Sequence, residues 1–189
     1  MEIKYLGKKA FIIKGKKEVV LVNPDESIAT KDRPRIVIKN ETKIEVDGEE
    51  GDRVVVMGPG EYEIGGIEIN GFSAGPGQTF YSVMVDGVTV GILGQLKESL
   101  NDKRVGKIGG VDVLVADIGG GNVVGTKAIL NLAKKWGANY VIPVGGDDGE
   151  LKKFMEESDT EGQEPLDSLK VDKDSLPEGT EVVILKTGK

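Results

Sequence analysis

No histidine and no cysteine occur anywhere in the 189 residues. Their joint absence removes imidazole bases, thiolate nucleophiles, disulfides and the two commonest zinc ligands at once. A serine or threonine nucleophile would need a lysine or carboxylate partner, and Ser73, Ser82 and Ser99 stand in no recognisable context of that kind. Positive charge is also short, with 25 Lys and Arg against 32 Asp and Glu and a net charge of −7. That balance argues against affinity for a nucleic-acid backbone, which draws its strength from basic patches, and leaves Lys14, Lys16 and Lys17 as a solvated hairpin turn. No apolar run approaches the roughly 20 residues that a membrane-spanning helix needs. The opening Met1-Glu2-Ile3-Lys4-Tyr5 alternates like a strand and does not read as an export signal. The expectation is a cytoplasmic protein with neither a nucleic-acid nor a membrane partner.

What is present is a pattern of short strands. With 38% hydrophobic residues and 28 glycines, residues 1–189 are expected to form one domain with many tight turns. Ile3 to Leu6, Ala10 to Ile13 and Val19 to Val22 are separated by Gly7-Lys8-Lys9 and Gly15-Lys16-Lys17, which predicts an antiparallel meander. After a polar loop at residues 25–34, Arg35 to Ile38, Asn40 to Val46 and Arg53 to Met57 continue as strands, with Asp47-Gly48 as a hairpin turn. Glu61 to Ile64 and Ile67 to Ile69 follow Gly58-Pro59-Gly60. Phe80 to Val85 and Val88 to Leu93 flank Asp86-Gly87, the strongest hairpin signal in the chain.

The second half changes character. A short helical stretch from Ser99 to about Val105 precedes Val111 to Ala116, a continuous apolar run of the kind buried on both faces of a sheet. Val124, Ala128, Leu132 and Trp136 recur every four residues and predict an amphipathic helix closed by Gly137, with Trp136 packed against an adjacent strand. Tyr140 to Val144 reads as a strand. Asp147 or Asp148 caps a second helix with Leu151, Phe154 and Met155 inward. Residues 156–167 read as an exposed, mobile loop, and Val182 to Leu185 as a last strand. Strands first and alternating strands and helices afterwards predict an α/β (α+β) protein, a four-layer αββα sandwich of two mixed sheets flanked by helices.

The stretch from Val88 to Glu98 organises the site. A buried strand ends at Gly94 and delivers Gln95, Leu96, Lys97 and Glu98 to irregular backbone, where ligands collect in covered sheets. Here the chain resembles the metallo-β-lactamase fold superfamily, in particular the small bacterial and archaeal group of predicted zinc-dependent hydrolases related to ascorbate-6-phosphate lactonases. Tyr5-Leu6-Gly7 and Phe11 match the group's opening Trp-Leu-Gly-His-Ser-Cys-Phe. Gly58-Pro59-Gly60-Glu61-Tyr62-Glu63-Ile64, Asp112-Val113-Leu114 before Gly119-Gly120, Val141-Ile142-Pro143 and Ser175-Leu176-Pro177 follow in the group's order.

The resemblance implies a dinuclear metal site, and this sequence departs from it. The His-x-His-x-Asp-His motif falls on Glu41 to Val46, with Glu41, Lys43 and Val46 in place of histidines and Glu45 in place of the aspartate. The bridging aspartate falls on Gln95, its segment's histidine on Glu98, and the histidine after the late proline on Gly145. Lys43 would put a cation where a metal belongs, or pair with Glu45. Zinc is therefore not expected, since catalytic zinc is normally anchored by neutral nitrogens.

The leading expectation is a noncatalytic binding, scaffold or regulatory module, with a small molecule or protein as partner and a homo-oligomer as an option. One alternative is a hydrolase with magnesium or calcium held by carboxylates among Glu41, Glu45, Glu98, Asp117, Asp147 and Asp148, against the bland reading of solvated or helix-capping acids. Another is a nucleotide or phosphate sensor built on the glycine-rich turn Gly119 to Gly125, which falls short of both nucleotide fingerprints: Val124 stands at a required glycine, and Thr126 precedes Lys127.

Overall fold

A computed structural model describes residues 1–25, 27–28, 30–40, 53–96, 100, 106–120 and 124–188. The first five strands are β1 (Glu2–Gly7), β2 (Ala10–Lys14), β3 (Val19–Val22), β4 (Ile36–Lys39) and β5 (Val54–Met57). Then follow β6 (Gly60–Ile64), β7 (Ile67–Gly75), β8 (Gln78–Val85), β9 (Val88–Leu93) and β10 (Val113–Asp117). Helix α1 (Thr126–Trp136), β11 (Tyr140–Val144), helix α2 (Asp148–Glu157), β12 (Leu169–Lys170), a 3-10 turn at Lys173–Ser175 and β13 (Glu181–Val182) follow among the described residues.

Two mixed sheets result. One runs β12-β1-β2-β3-β4-β5 and the other β13-β11-β10-β9-β8-β7-β6. Their facing sides form one apolar cluster, with Ile13, Val20, Ile36 and Ile38 from the first sheet and Ile69, Val83, Val90, Val115 and Ile142 from the second. The outer side of the seven-stranded sheet buries Phe80, Leu93, Leu114 and Val141 against Ile129, Leu132, Ala133 and Trp136 of α1 and Phe154 of α2. This is the sandwich that the strand and helix order predicts, and Trp136 meets Phe80 of β8 at a ring-centroid distance of 4.9 Å.

Local chemistry explains the elements that match. Asp86 and Gly87 both adopt positive φ (52° and 79°), as a two-residue hairpin matched to strand twist requires. Helix α1 stops where Gly137 turns left-handed at φ 70°. Helix α2 starts at Asp147 in a reciprocal capping box with Glu150.

Three readings need correction. β4 pairs parallel with both β3 and β5, although the strand-rich first half reads as antiparallel. Parallel neighbours need a crossover of a dozen or more residues, and residues 23–35 and 40–53 supply that length. The hairpin read at Asp47-Gly48 and the helical stretch from Ser99 lie in or largely in segments outside the described residues. Leu169–Lys170 is a strand that two residues cannot announce, and it joins β1 at the sheet edge. The last strand covers Glu181–Val182, after which Val183 N–H still donates to Val141 O at 2.9 Å and Leu185 bridges Leu166 in the segment read as an open loop.

The two sheets are also tied by polar groups. Tyr81, fully buried in β8, directs its hydroxyl at Lys39 O and Gly58 O, each at 3.2 Å. Asn40, at the end of β4, donates to Thr79 O at 2.7 Å across the sandwich and exchanges bonds with Asn23, each at 2.9 Å. Burial pushes the Tyr81 phenol up to about 12. An unfolded tyrosine ionises near 10, so this contribution to stability is complete below about pH 10 and is lost as pH rises to about 12. Tyr81→Phe is expected to cost about 1 kcal/mol at neutral pH and to flatten the alkaline fall in melting temperature over that window. An unchanged alkaline slope in the variant would remove Tyr81 as its source.

Candidate functional site

Parallel pairing of β9, β10 and β11 brings three strand ends to one mouth of the sandwich. Ala116 stands beside Leu93, and Asp117 beside Val144, so Gln95, Asp117 and Gly145 arrive together. Asp117 is buried, at 5% exposure, and its Oδ1 accepts from Gly119 N–H at 2.9 Å. Gln95 Nε2 donates to Gly119 O at 3.0 Å, so residue 119 links the two strand ends.

Glycine is required where these strands close on one another. A Cβ on Gly145, which has φ 81°, would lie 2.3 Å from Asp117 Oδ1, and one on Gly119 would lie 2.0 Å from Gly145 O. The histidine position of the resemblance is thus filled by the carboxylate of the neighbouring strand. Beside Gln95, the crevice lined by Asn40, Thr79 and Gly94 is too tight to admit a water molecule.

The opposite sheet contributes a cation that sequence reasoning missed. Lys9, in the turn between β1 and β2, places Nζ 3.2 Å from Asp117 Oδ2. The register shift between Tyr5 and Gly7 and the positive φ of Gly7 and Lys8 (113° and 51°) shape this turn. Tyr5 Oη accepts from Gly145 N–H at 3.2 Å and donates to Lys8 O at 2.5 Å, bracing the same turn against β11. Burial, with the Asp117 charge adding to it, raises the Tyr5 phenol above its ordinary value despite the opposing bond from Gly145. Lys8 pairs with Asp25 at 2.7 Å and holds that carboxyl down to about 2. The available signal was positional, since Lys9 sits two residues before the Phe11 of the opening motif.

Glu41, Lys43, Glu45 and Glu98 lie outside the described residues. Asp147 is committed to capping α2, as the bland reading of the acidic residues has it.

Residues 2–145 match the beta-lactamase superfamily domain. The chain belongs to that family. Among solved structures, a protein described as a predicted Zn-dependent hydrolase of the metallo-β-lactamase superfamily from Thermotoga maritima is similar at 20% identity, over 97% of each chain, with a TM-score of 0.79. The metallo-β-lactamase fold protein YhfI from Bacillus subtilis matches at 12% identity over 100% of this chain and 98% of its own, with a TM-score of 0.65. Igni18, described as a metallo hydrolase from Ignicoccus hospitalis, matches at 14% identity over 100% and 96%, with a TM-score of 0.64. At these identities the likeness is one of fold. No protein of curated function matches.

The family implies a metal centre, and the described side chains do not fit one. Among the described residues, no three or more Asp, Glu, His or Cys side chains converge. At this mouth Gln95 is a neutral amide already spent on Gly119, Gly145 has no side chain, and Asp117 faces an ammonium.

Removing that ammonium leaves a buried carboxylate short of its counter-charge. Lys9→Met is expected to destabilise by about 2 kcal/mol, below the range for a fully buried pair because Lys9 is partly exposed. Adding Asp117→Asn, which keeps an acceptor for Gly119 N–H, should restore part of the loss in a double-mutant cycle of urea denaturation. Strictly additive losses would show that the two groups do not interact.

Proposed function

We propose that this metallo-β-lactamase-fold protein is a noncatalytic binding or regulatory module in which a lysine ammonium stands where relatives of the fold would place a metal cation. The observation that carries the reading is the Lys9–Asp117 pair, 3.2 Å across the mouth between the two sheets. An ammonium satisfies a buried carboxylate electrostatically, yet it neither polarises a carbonyl as a Lewis acid nor lowers the pKa of a bound water. The complete lack of histidine in the sequence points the same way, because neutral nitrogen donors are what usually anchor such metals. Zinc has no part in this reading.

The competing reading is a hydrolase of the same superfamily that holds magnesium or calcium through carboxylates, Asp117 among them. The two separate in one experiment. Purified protein is assayed for metal content, then tested against phosphodiester, lactone and β-lactam substrates with and without zinc, magnesium and calcium. The module reading expects substoichiometric metal and no metal-dependent turnover. Stoichiometric metal together with turnover abolished by Asp117→Asn would replace it with the hydrolase.

A further inference from the structure

The turn that carries Lys9 has a backbone that needs holding from outside. β1 bulges between Tyr5 and Gly7, and Gly7 and then Lys8 take positive φ, a conformation that costs a lysine free energy. Two restraints belong to the mouth itself: Tyr5 Oη spans Gly145 N–H and Lys8 O, and Lys8 pairs with Asp25. A third comes from residues 187–188.

β12 pairs with Glu2 and Ile3 of β1, and beyond them Gly188 takes the same edge, donating its N–H to Tyr5 O at 2.8 Å. The Thr187 methyl rests on the bulge, where a Cβ on Gly7 would lie 2.9 Å from it. The chain leading to these two residues is firmly rooted. Val183, Ile184 and Leu185 are buried, Lys186 N–H donates to Leu166 O at 2.8 Å, and Lys186 Nζ lies 3.0 Å from Asp167. Thr187 and Gly188 themselves are exposed. A rooted base whose exposed end is fastened, among the described residues, by one backbone hydrogen bond and one methyl contact is a strap that can let go, since a single hydrogen bond favours the docked form by only about tenfold.

We propose that Thr187 and Gly188 form a releasable strap that controls access to Asp117. Docked, the strap holds the β1–β2 turn with Lys9 on the carboxylate; released, it lets the turn swing out and opens the mouth between the sheets. The linkage runs through one residue: Tyr5 receives the strap on its carbonyl and braces Lys8 with its hydroxyl, and Lys9 follows Lys8. Asp25 at Lys8 and Asp117 at Lys9 draw the turn inward, so the closed form is the resting one and the strap sets how often it opens. The inference rests on the reading of Lys9 as the group that fills the mouth, and adds to it what regulates that filling.

The test uses the full chain without added metal as wild type, as Gly188→Pro, which lacks the N–H that Tyr5 O accepts, and as Thr187→Gly, which lacks the methyl. Acetylation of Lys9 by a limiting active ester is timed by mass spectrometry against the exposed Lys17, and amide hydrogen exchange is followed at Gly145, whose N–H donates to Tyr5 Oη. An ammonium held on a carboxylate acylates slowly. Release should therefore raise the Lys9 rate and the Gly145 exchange rate by up to about tenfold in Gly188→Pro and by a smaller factor in Thr187→Gly, with the Val83 and Val90 amides of the core unchanged. A wild-type Lys9 rate in Gly188→Pro would overturn the strap whatever Gly145 does, and so would equal acceleration at Val83 and Val90, the mark of general loosening. Metal bound by the wild-type chain bears on the role of Lys9 and not on these rates, so failure of that reading and failure of the strap are told apart.

Discussion

A carboxylate buried at the mouth of two packed sheets must be met by positive charge, and in this chain Lys9 supplies it. Asp117 ends β10 with 5% exposure, so its ionised form depends on what stands within a few ångströms. The backbone N–H of Gly119 takes one oxygen and the ammonium of Lys9, from the other sheet, takes the other. The surrounding glycines follow from this arrangement, since a side chain at 145 would occupy the carboxylate's own position. Tyr5 then fixes the lysine-bearing turn to β11 through Gly145 N–H. One electrostatic requirement thus joins β1, β2, β10 and β11, elements far apart in sequence.

Signals confined to a few neighbouring residues were legible. Asp86-Gly87 specifies a turn with two positive φ values, four-residue spacing with a final glycine specifies α1, and Asp147 or Asp148 marks the start of α2, where the structure selects Asp147. Sheet partners were less so. Ile36 to Lys39 is apolar enough to be buried on both faces, but nothing within it states whether its neighbours run parallel, and that follows only from the length of the connections on either side. Leu169–Lys170 has no pattern of its own and becomes a strand because β1 offers it an edge.

The candidate site divides along the same line. Gln95 and Gly145 could be placed by the motif resemblance and Asp117 by its position at a strand end, and the parallel register of β9, β10 and β11 is what carries the three to a common mouth. Lys9 could not, because its partner lies more than a hundred residues away in the other sheet. Lys43, read as the cation at the family's metal position, lies outside the described residues. The principle that a cation of the chain replaces a metal is therefore proposed through a different lysine from the one that motif comparison singled out.

The most direct test of that principle is anomalous diffraction from crystals of the protein grown with zinc in excess. The Lys9 ammonium at Asp117 predicts no anomalous peak within coordination distance of either Asp117 oxygen, with Nζ kept near 3.2 Å. A zinc peak bonded to Asp117, with Lys9 displaced, would contradict it.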